Sequence, residues 1–441
     1  MEWIQPDHPE YDERRALFNV AIDKRPAVIA ACSGPEDVVA ALERARSDSL
    51  AIAVRAGGHS VAGASTNDGG LVVDVRPMKE ISIDAETRLA RVGAGVTWAE
   101  LDAATQEHGL AVPGGRASTT GVAGFTLGGG SSWIERKYGP ACDSLVGVEV
   151  VTAGGQLVRA DETQNQSLLW AHRGGGGNFG VVTTLEFELH PVGPMVLAGI
   201  MGWPGEEASE IVRAYRDWAF DAPVDLGGGV VMLTTPAEEP FPEHLHGKPV
   251  AGLAVVWTGE ESEGRDVVAH MRNLKPALDL VDVMPYAAFT SMLDDPPGMR
   301  HYWSADHHDE FDDGAVDAFV KFGLSQPSPS GQLGLVPWGG AFASGKDSPL
   351  AKRSAKWVSH PYANWASAED DQVNMAWVKE FRQAIAPYAS GGTWLNFIGN
   401  EGQDRVRAAF GEENYARLAQ IKAEYDPENL FRGNQNIIPA T

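Results

Sequence analysis

Arg55-Ala56-Gly57-Gly58-His59-Ser60 follows an apolar run, Ala51-Ile52-Ala53-Val54, and the fold is read outward from this junction. The apolar run reads as a buried strand, and the glycine pair as a tight loop leaving it. Glycine accepts positive φ and lets the backbone approach a ligand, and consecutive N–H groups in such a loop form an anion-binding nest. His59 is then held at a ligand's edge on a stiff support. Taken alone, His59 also reads as a polar loop residue or a helix cap, and the rest of the chain has to decide.

Further blocks follow in order. Pro113-Gly114-Gly115-Arg116 precedes Thr120-Gly121-Val122-Ala123-Gly124-Phe125-Thr126-Leu127-Gly128-Gly129-Gly130, with Arg136-Lys137-Tyr138-Gly139 after it. Val148-Glu149-Val150-Val151-Thr152-Ala153 ends in a Gly154-Gly155 turn, and Leu169-Trp170-Ala171-His172-Arg173 leads through four glycines to Asn178-Phe179-Gly180. The C-terminal end carries Tyr425-Asp426-Pro427-Glu428-Asn429-Leu430-Phe431 and Asn434-Gln435-Asn436-Ile437. In order and spacing these blocks resemble the berberine-bridge-type branch of the vanillyl-alcohol-oxidase-like FAD oxidases, over residues 27 to 438.

The resemblance implies a cofactor and its contacts. FAD lies with its pyrophosphate on Arg55, Ala56, Gly57, Gly58, His59 and Ser60, and His59 is tied to the flavin 8α-methyl. Gly121, Ala123, Gly124 and Gly128 would pass along the isoalloxazine, and Gly115, Arg116 and Thr120 are further cofactor contacts. Gly180, Val182, Asn396, Asn434 and Asn436 complete the expected contacts. A loop without bulky side chains suits the flat face of a ring, with N–H groups aimed at its polar rim. A covalent bond prevents cofactor loss, and an electron-poor substituent makes a stronger hydride acceptor.

Two departures matter. Some relatives tether FAD a second time through a cysteine just before the glycine block, and here Ala117 holds that place, so a single tether is expected. Many relatives carry Tyr-x-Asn-Tyr or Tyr-x-Asn-Phe where this chain has Trp394-Leu395-Asn396-Phe397, and in several the first tyrosine is the base. An indole donates a hydrogen bond but accepts no proton. Replacement bases are Tyr302, His172, Glu401 and Tyr362, unranked, because reach comes before pKa.

Composition narrows the classes. The 441 residues exceed one ordinary core, so two domains are expected. The formal charge of −25 argues against nucleic acid and anionic membranes as partners. Cys32 and Cys142 make no disulfide scaffold, and Cys142 reads as a small buried hydrophobe. The N-terminus has neither a basic region nor an apolar stretch of a secretory signal. No apolar run reaches the ~20 residues that span a bilayer. A cytoplasmic monomer or homodimer is expected. Gly93-Ala94-Gly95 lacks the third glycine of a dinucleotide fingerprint, Trp98 standing there. The run from Asp306 to Glu310, with Asp312 and Asp313, reads as a solvated acidic turn, and no metal site is expected.

The expected fold is α+β: an FAD domain of two small sheets with flanking helices, over 1–193 and 395–441, and a substrate domain over 194–394 with an antiparallel sheet covered by helices. Ser33-Gly34-Pro35-Glu36 and Thr97-Trp98-Ala99-Glu100 read as capping boxes. Helices are expected near 208–219, 265–274, 315–322 and 371–388, the last with Val373, Ala376, Trp377 and Phe381 on one stripe. Strands are expected near 228–233, 249–257 and 333–342. Trp303, Trp338, Phe342, Trp357, Tyr362 and Trp365 together suggest an apolar pocket for a flat or aromatic substrate, or a stacking platform for a sugar.

By resemblance the chain is an FAD oxidase. A C–H of a small alcohol, hemiacetal or amine gives hydride to flavin N5, and O2 is reduced to hydrogen peroxide as the flavin is reoxidised. A dehydrogenase using another acceptor stays open. So does a binding protein that holds an aromatic metabolite without turnover, a reading that rests on Trp394.

Overall fold

The computed structural model describes residues 1–292 and 294–441. Its fold is α+β, as expected. Glu2–Ile4 (β1), Val28–Ala31 (β2), Ile52–Arg55 (β3) and Leu71–Asp74 (β4) form one small sheet in the order β1-β2-β4-β3. β2 and β3 both run parallel to β4. Residues of β2 and β4 are buried without exception, as expected of strands covered on both faces. Pro35–Ser47 (α1) packs on this sheet through Val38, Ala41, Leu42 and Ala45. Ser33 does not cap α1 as expected. Gly34 is the N-cap, and the Asp37 carboxylate accepts from the Ser33 N–H at 2.8 Å.

A second, antiparallel sheet contains Ile81–Asp84 (β5), Leu89–Gly93 (β6), Leu145–Val151 (β7), Leu157–Asp161 (β8) and Val181–Glu188 (β9), in the order β5-β6-β9-β7-β8. Leu185 and Phe187 are buried from alternate positions of β9, and Leu189 just beyond it. Trp98–Gln106 (α2) starts with the Thr97–Glu100 capping box, where Thr97 N–H donates to Glu100 at 2.7 Å. Val122–Leu127 (α3) carries the glycine block.

The third sheet has nine strands: Met195–Pro204 (β10), Leu226–Thr234 (β11), Pro249–Trp257 (β12), Leu278–Asp279 (β13), Asp282–Pro285 (β14), Arg300–Trp303 (β15), Asp306–His308 (β16), Gln332–Pro337 (β17) and Trp357–Trp365 (β18). The main order is β13-β10-β12-β11-β17-β18-β15, with β14 on β10 and β16 on β18. Ala208–Trp218 (α4), Glu261–Arg272 (α5), Asp313–Gly323 (α6) and Asp371–Ile385 (α7) cover one face. β17 stops short of the expected strand because Gly339 and Gly340 turn the chain at positive φ. The buried stripe of α7 is Asn374, Trp377, Val378, Phe381 and Ile385, whereas Val373 is exposed. Each large apolar member of that stripe contributes roughly 1.5–3 kcal/mol by leaving water.

Parity along β17 and β18 separates two environments. Leu333, Leu335, Ala363 and Trp365 pack under the helices. Gln332, Gly334, Val336, His360 and Tyr362 face a cavity on the other side. The chain then returns: Leu395, Phe397, Ile398 and Gln403–Tyr425 (α8), broken at Gly411, pack in the same core as β2, β4, β7 and β9. Among the described residues no helix is long and apolar enough to cross a membrane.

Asp306 and both histidines after it lie on buried β16, whereas Asp309, Glu310, Asp312 and Asp313 are exposed. The expected solvated turn is therefore half wrong. Asp306 accepts from Arg382 at 3.0 Å and from Arg405 at 3.1 Å, which offsets the cost of burying its charge. Cys32 and Cys142 are buried and unpaired.

Candidate active site

The glycine loop after β3, the α3 glycine block, the C-terminal return and the open face of the third sheet enclose one cavity of about 380 Å³. Ala56, Gly57, Gly58, His59, Ser60, Arg116, Thr120, Gly121, Ala123, Gly124, Gly128, Gly180, Val182, Asn396 and Asn434 all line it, as does Ala117. Three expected contacts do not. Arg55 turns away and donates to the carbonyls of Arg14 and Ala16, so it anchors the loop from behind. Gly115 packs on Trp98, 3.0 Å from where its Cβ would stand. Asn436 is outside the lining.

The glycines divide by what surrounds them. A Cβ on Gly57 would stand 2.2 Å from Gly121 N, and one on Gly121 would stand 2.3 Å from Gly57 N, so the two loops touch backbone to backbone. Gly128 is hemmed in by Asn396 and Gly180 by Val150. Only Gly124 of the named set meets nothing within 4 Å, and its Cβ would project into open space on the cavity wall. Asn396 binds the terminal return to this wall, accepting from Gly130 N–H at 2.9 Å and donating to the Phe125 carbonyl at 3.2 Å. The Asn434 side-chain oxygen is buried without a partner on the same wall. An open glycine cradle beside an unpartnered polar rim fits a flat, polar-edged cofactor such as FAD.

His59 sits between two hydroxyls. Thr119 Oγ1 lies 3.0 Å from its Nε2, and Thr120 Oγ1 lies 3.3 Å from its Nδ1. Burial, with the neighbouring His301 as the second cause, lowers its pKa to about 4, so the imidazole is neutral at pH 7. Its ring stacks on Phe18 at 4.0 Å, and Phe18 stacks in turn on His301 at 4.2 Å. Asn19 pairs with the His301 backbone in both directions at 3.0 Å. The N-terminal segment thus bridges the glycine loop and β15.

Three of the candidate bases, Tyr302, His172 and Glu401, lie outside the cavity, as does Trp394. Tyr302 is on the helix face of β15, paired with Ala363, and Lys379 lies over its ring. The pleat gives the cavity side to His301 and Trp303 instead. His172 ends a helix in the first core, edge-on to Phe179, with neither ring nitrogen hydrogen-bonded. Burial lowers its pKa to about 3. Glu401 accepts from Arg382 at 3.0 Å and Arg405 at 3.1 Å and belongs to the Asp306 ion-pair network. Trp394 packs among Trp338 and Phe342 in the core, so the cavity-facing aromatic of its motif is Phe397. Of the aromatic set, only Trp303 and Tyr362 reach the cavity.

Tyr362, the remaining candidate, lies on the cavity face of β18 and donates to Asp295 Oδ2. Asn364 donates to the other Asp295 oxygen at 2.9 Å, while its own oxygen faces His301 Nδ1. Burial pushes the Asp295 carboxyl up to about 6, against the lowering effect of the Tyr362 hydrogen bond. Tyr362 is itself raised well above 10, by burial first and by the Asp295 charge second. Trp303 stacks on Tyr362 at 4.0 Å. Asp294 accepts from Ser118 N–H at 2.6 Å and so clamps the loop that holds the His59 hydroxyl partners.

Asp295 and His360 were missed from the sequence. His360 shares parity with Tyr362 on one strand, which was the available signal. Its Nδ1–H donates to the Ser304 carbonyl at 2.8 Å, and its ring stacks on Phe397 at 4.3 Å. Asp295 sits in a loop with no periodicity to mark it.

The family model of the FAD binding domain matches residues 26–161, and that of berberine and berberine-like proteins matches residues 393–438. (R)-6-hydroxynicotine oxidase of Paenarthrobacter nicotinovorans is 30% identical over 457 residues, 99% of this chain and 96% of that protein. The crystal structure of 6-hydroxy-D-nicotine oxidase from Arthrobacter nicotinovorans matches with a TM-score of 0.90 at 28% identity, covering 100% of this chain and 98% of that one. Glucooligosaccharide oxidase from Acremonium strictum, with a 6-S-cysteinyl, 8α-N1-histidyl FAD, shares the fold at 20% identity. Its TM-score is 0.87, over 100% of this chain and 97% of that one. With a relative of 30% identity matched along nearly its whole length, and both family blocks meeting on one cavity, this chain belongs to the berberine-bridge-enzyme-like FAD-dependent oxidoreductases.

Proposed function

We propose that the protein is an oxidase that holds FAD through His59 alone and oxidises a small, flat alcohol or amine. The observation that carries this reading is one cavity lined both by the His59 loop and by the Tyr362–Asp295 pair. When bound, FAD supplies a two-electron acceptor, with O2 as the final oxidant in an oxidase.

The chain's residues do the rest. Neutral His59 offers a nitrogen lone pair, and its flanking threonine hydroxyls orient the ring. Ala117 leaves no thiol for a second tether. The walls of Trp303, Tyr362, His360 and Phe397 exclude water and suit a planar substrate. Tyr362 takes the proton of a substrate hydroxyl or amine as its own phenolic proton passes to Asp295. The relay needs no tyrosinate, and a carboxylate with a pKa near 6 is well matched to neutral pH. Tyr362 beside Asp295 offers the base that Trp394 lacks, which supports an enzyme over a binding protein.

The test is anaerobic mixing of the FAD-loaded protein with alcohols, hemiacetal sugars and amines while the flavin absorbance is followed. Bleaching by one class, with hydrogen peroxide formed on admitting air, is expected. Bleaching without reoxidation by air would favour a dehydrogenase.

A further inference from the structure

Arg116 is a cation on the cavity wall with donors to spare. Its Nη2 donates to the Ser132 carbonyl and to Glu135, each at 3.1 Å, and reaches Ser131 Oγ at 3.5 Å. Nε is buried with no acceptor, and none of these hydrogen bonds engages Nη1. The side chain keeps 24% of its surface while its partner Glu135 keeps 3%, and Arg116 lines the cavity, so its open edge looks inward. The guanidinium lies over Trp133, 5.0 Å from the ring centroid, which fixes its plane.

A buried ion pair that serves structure alone is stable when its remaining donors are satisfied. Here Glu135 satisfies one edge of the fork, and Ser132 N–H in turn donates to Glu135 at 2.9 Å. The Nη1 end of the guanidinium is left toward the same space as Trp133, Trp303, His360 and Phe397. That combination is a flat apolar slot with one fixed cationic donor at its side. Neutral walls hold a ring, and arginine holds an oxygen anion at the ring's edge by charge-assisted hydrogen bonds. The overall charge of −25 repels anions at long range, so the selection is local to this edge.

We propose that Arg116 determines specificity by holding an anionic oxygen carried on the substrate's ring, a carboxylate or a phenolate. The proposal rests on the oxidase reading of the same cavity and departs from a cofactor role for Arg116. Glu135 shares the cation, which favours weakly basic, delocalised oxygen anions over strongly basic ones.

The experiment titrates FAD-loaded protein with benzoate, with ionised 4-cyanophenolate and with neutral benzamide, reading the flavin difference spectrum. An anion should bind roughly tenfold or more tightly than benzamide. A preference for benzoate identifies a carboxylate, and one for 4-cyanophenolate a phenolate. Arg116→Gln should abolish the preference. Arg116→Gln combined with Glu135→Gln should do the same without leaving a buried charge unpaired, which covers misfolding of the single variant. Equal binding of the three probes, no binding of either anion, or an unchanged preference in the double variant would overturn the proposal. So would loss of FAD from the variant with the preference intact in its remaining loaded fraction. Bleaching by neutral alcohols or amines is scored separately, so the oxidase reading stands or falls on its own.

Discussion

The two walls of the cavity are built by different rules. One is backbone: the loop at Gly57 and the block at Gly121 touch without side chains, and His59 and Gly124 are presented from it. The other is pleat: β17 and β18 send alternate residues to the cavity and to the helices. A backbone wall is specified by residues adjacent in sequence, and its chemistry is visible in a six-residue motif. A pleated wall is specified by parity, and a one-residue error exchanges its two faces.

The largest effect that would break this comparison lies on the pleated wall. Tyr362→Phe removes the proton acceptor and should lower kcat/KM by roughly 10²–10⁴, whereas Tyr302→Phe, on the helix face, should leave it unchanged. Steady-state rates of the two variants decide which parity is functional. In the wild type, kcat/KM should rise as pH increases through about 6, because Asp295 must be ionised to accept the relayed proton. Asp295→Asn should remove that rise.

The backbone wall predicts a contrast between two alanines. Gly57→Ala puts a Cβ against Gly121 backbone and should destabilise the fold by about 1–3 kcal/mol. Gly124→Ala meets nothing and should keep its Tm while lowering the fraction of chains that acquire FAD. Thermal melts, read beside the flavin absorbance per chain, separate the two. Equal loss of stability would mean that Gly124 is not on an open face.

A smaller effect comes from the core behind both walls. His172 and His307 are fully buried, without hydrogen bonds, and burial holds each near pKa 3. Their folded pKa values are below the unfolded value of about 6.5, so stability is full above 6.5 and is lost as pH falls toward 3. The slope is about 1.4 kcal/mol per pH unit for each histidine. Urea titrations at pH 7 and 5.5 should show the loss, and His172→Phe should reduce it.

The sequence made the backbone wall legible. The strand–glycine–histidine junction, the glycine block and the Asn396 return all stand on one cavity. The failures have physical causes. Tyr302 and Trp303 are neighbours with opposite faces, and nothing in Arg300-His301-Tyr302-Trp303 marks which faces inward. Trp394 and Phe397 differ in the same way around a short turn. Glu401 looks catalytic by residue type but is neutralised by Arg405 one helical turn on and by Arg382, and the same two arginines reach Asp306 from distant positions in the chain. Phe18 reaches His59 only because the N-terminal segment crosses over the loop, a contact with no local signature.

The most direct measurement is the mass of the acid-denatured, purified protein, for wild type and His59→Ala side by side. The account predicts one FAD added per wild-type chain and none on the variant, whose flavin is extracted on denaturation. A wild-type chain with no added mass, or a variant that keeps it, would contradict the assignment of His59 as the single tether.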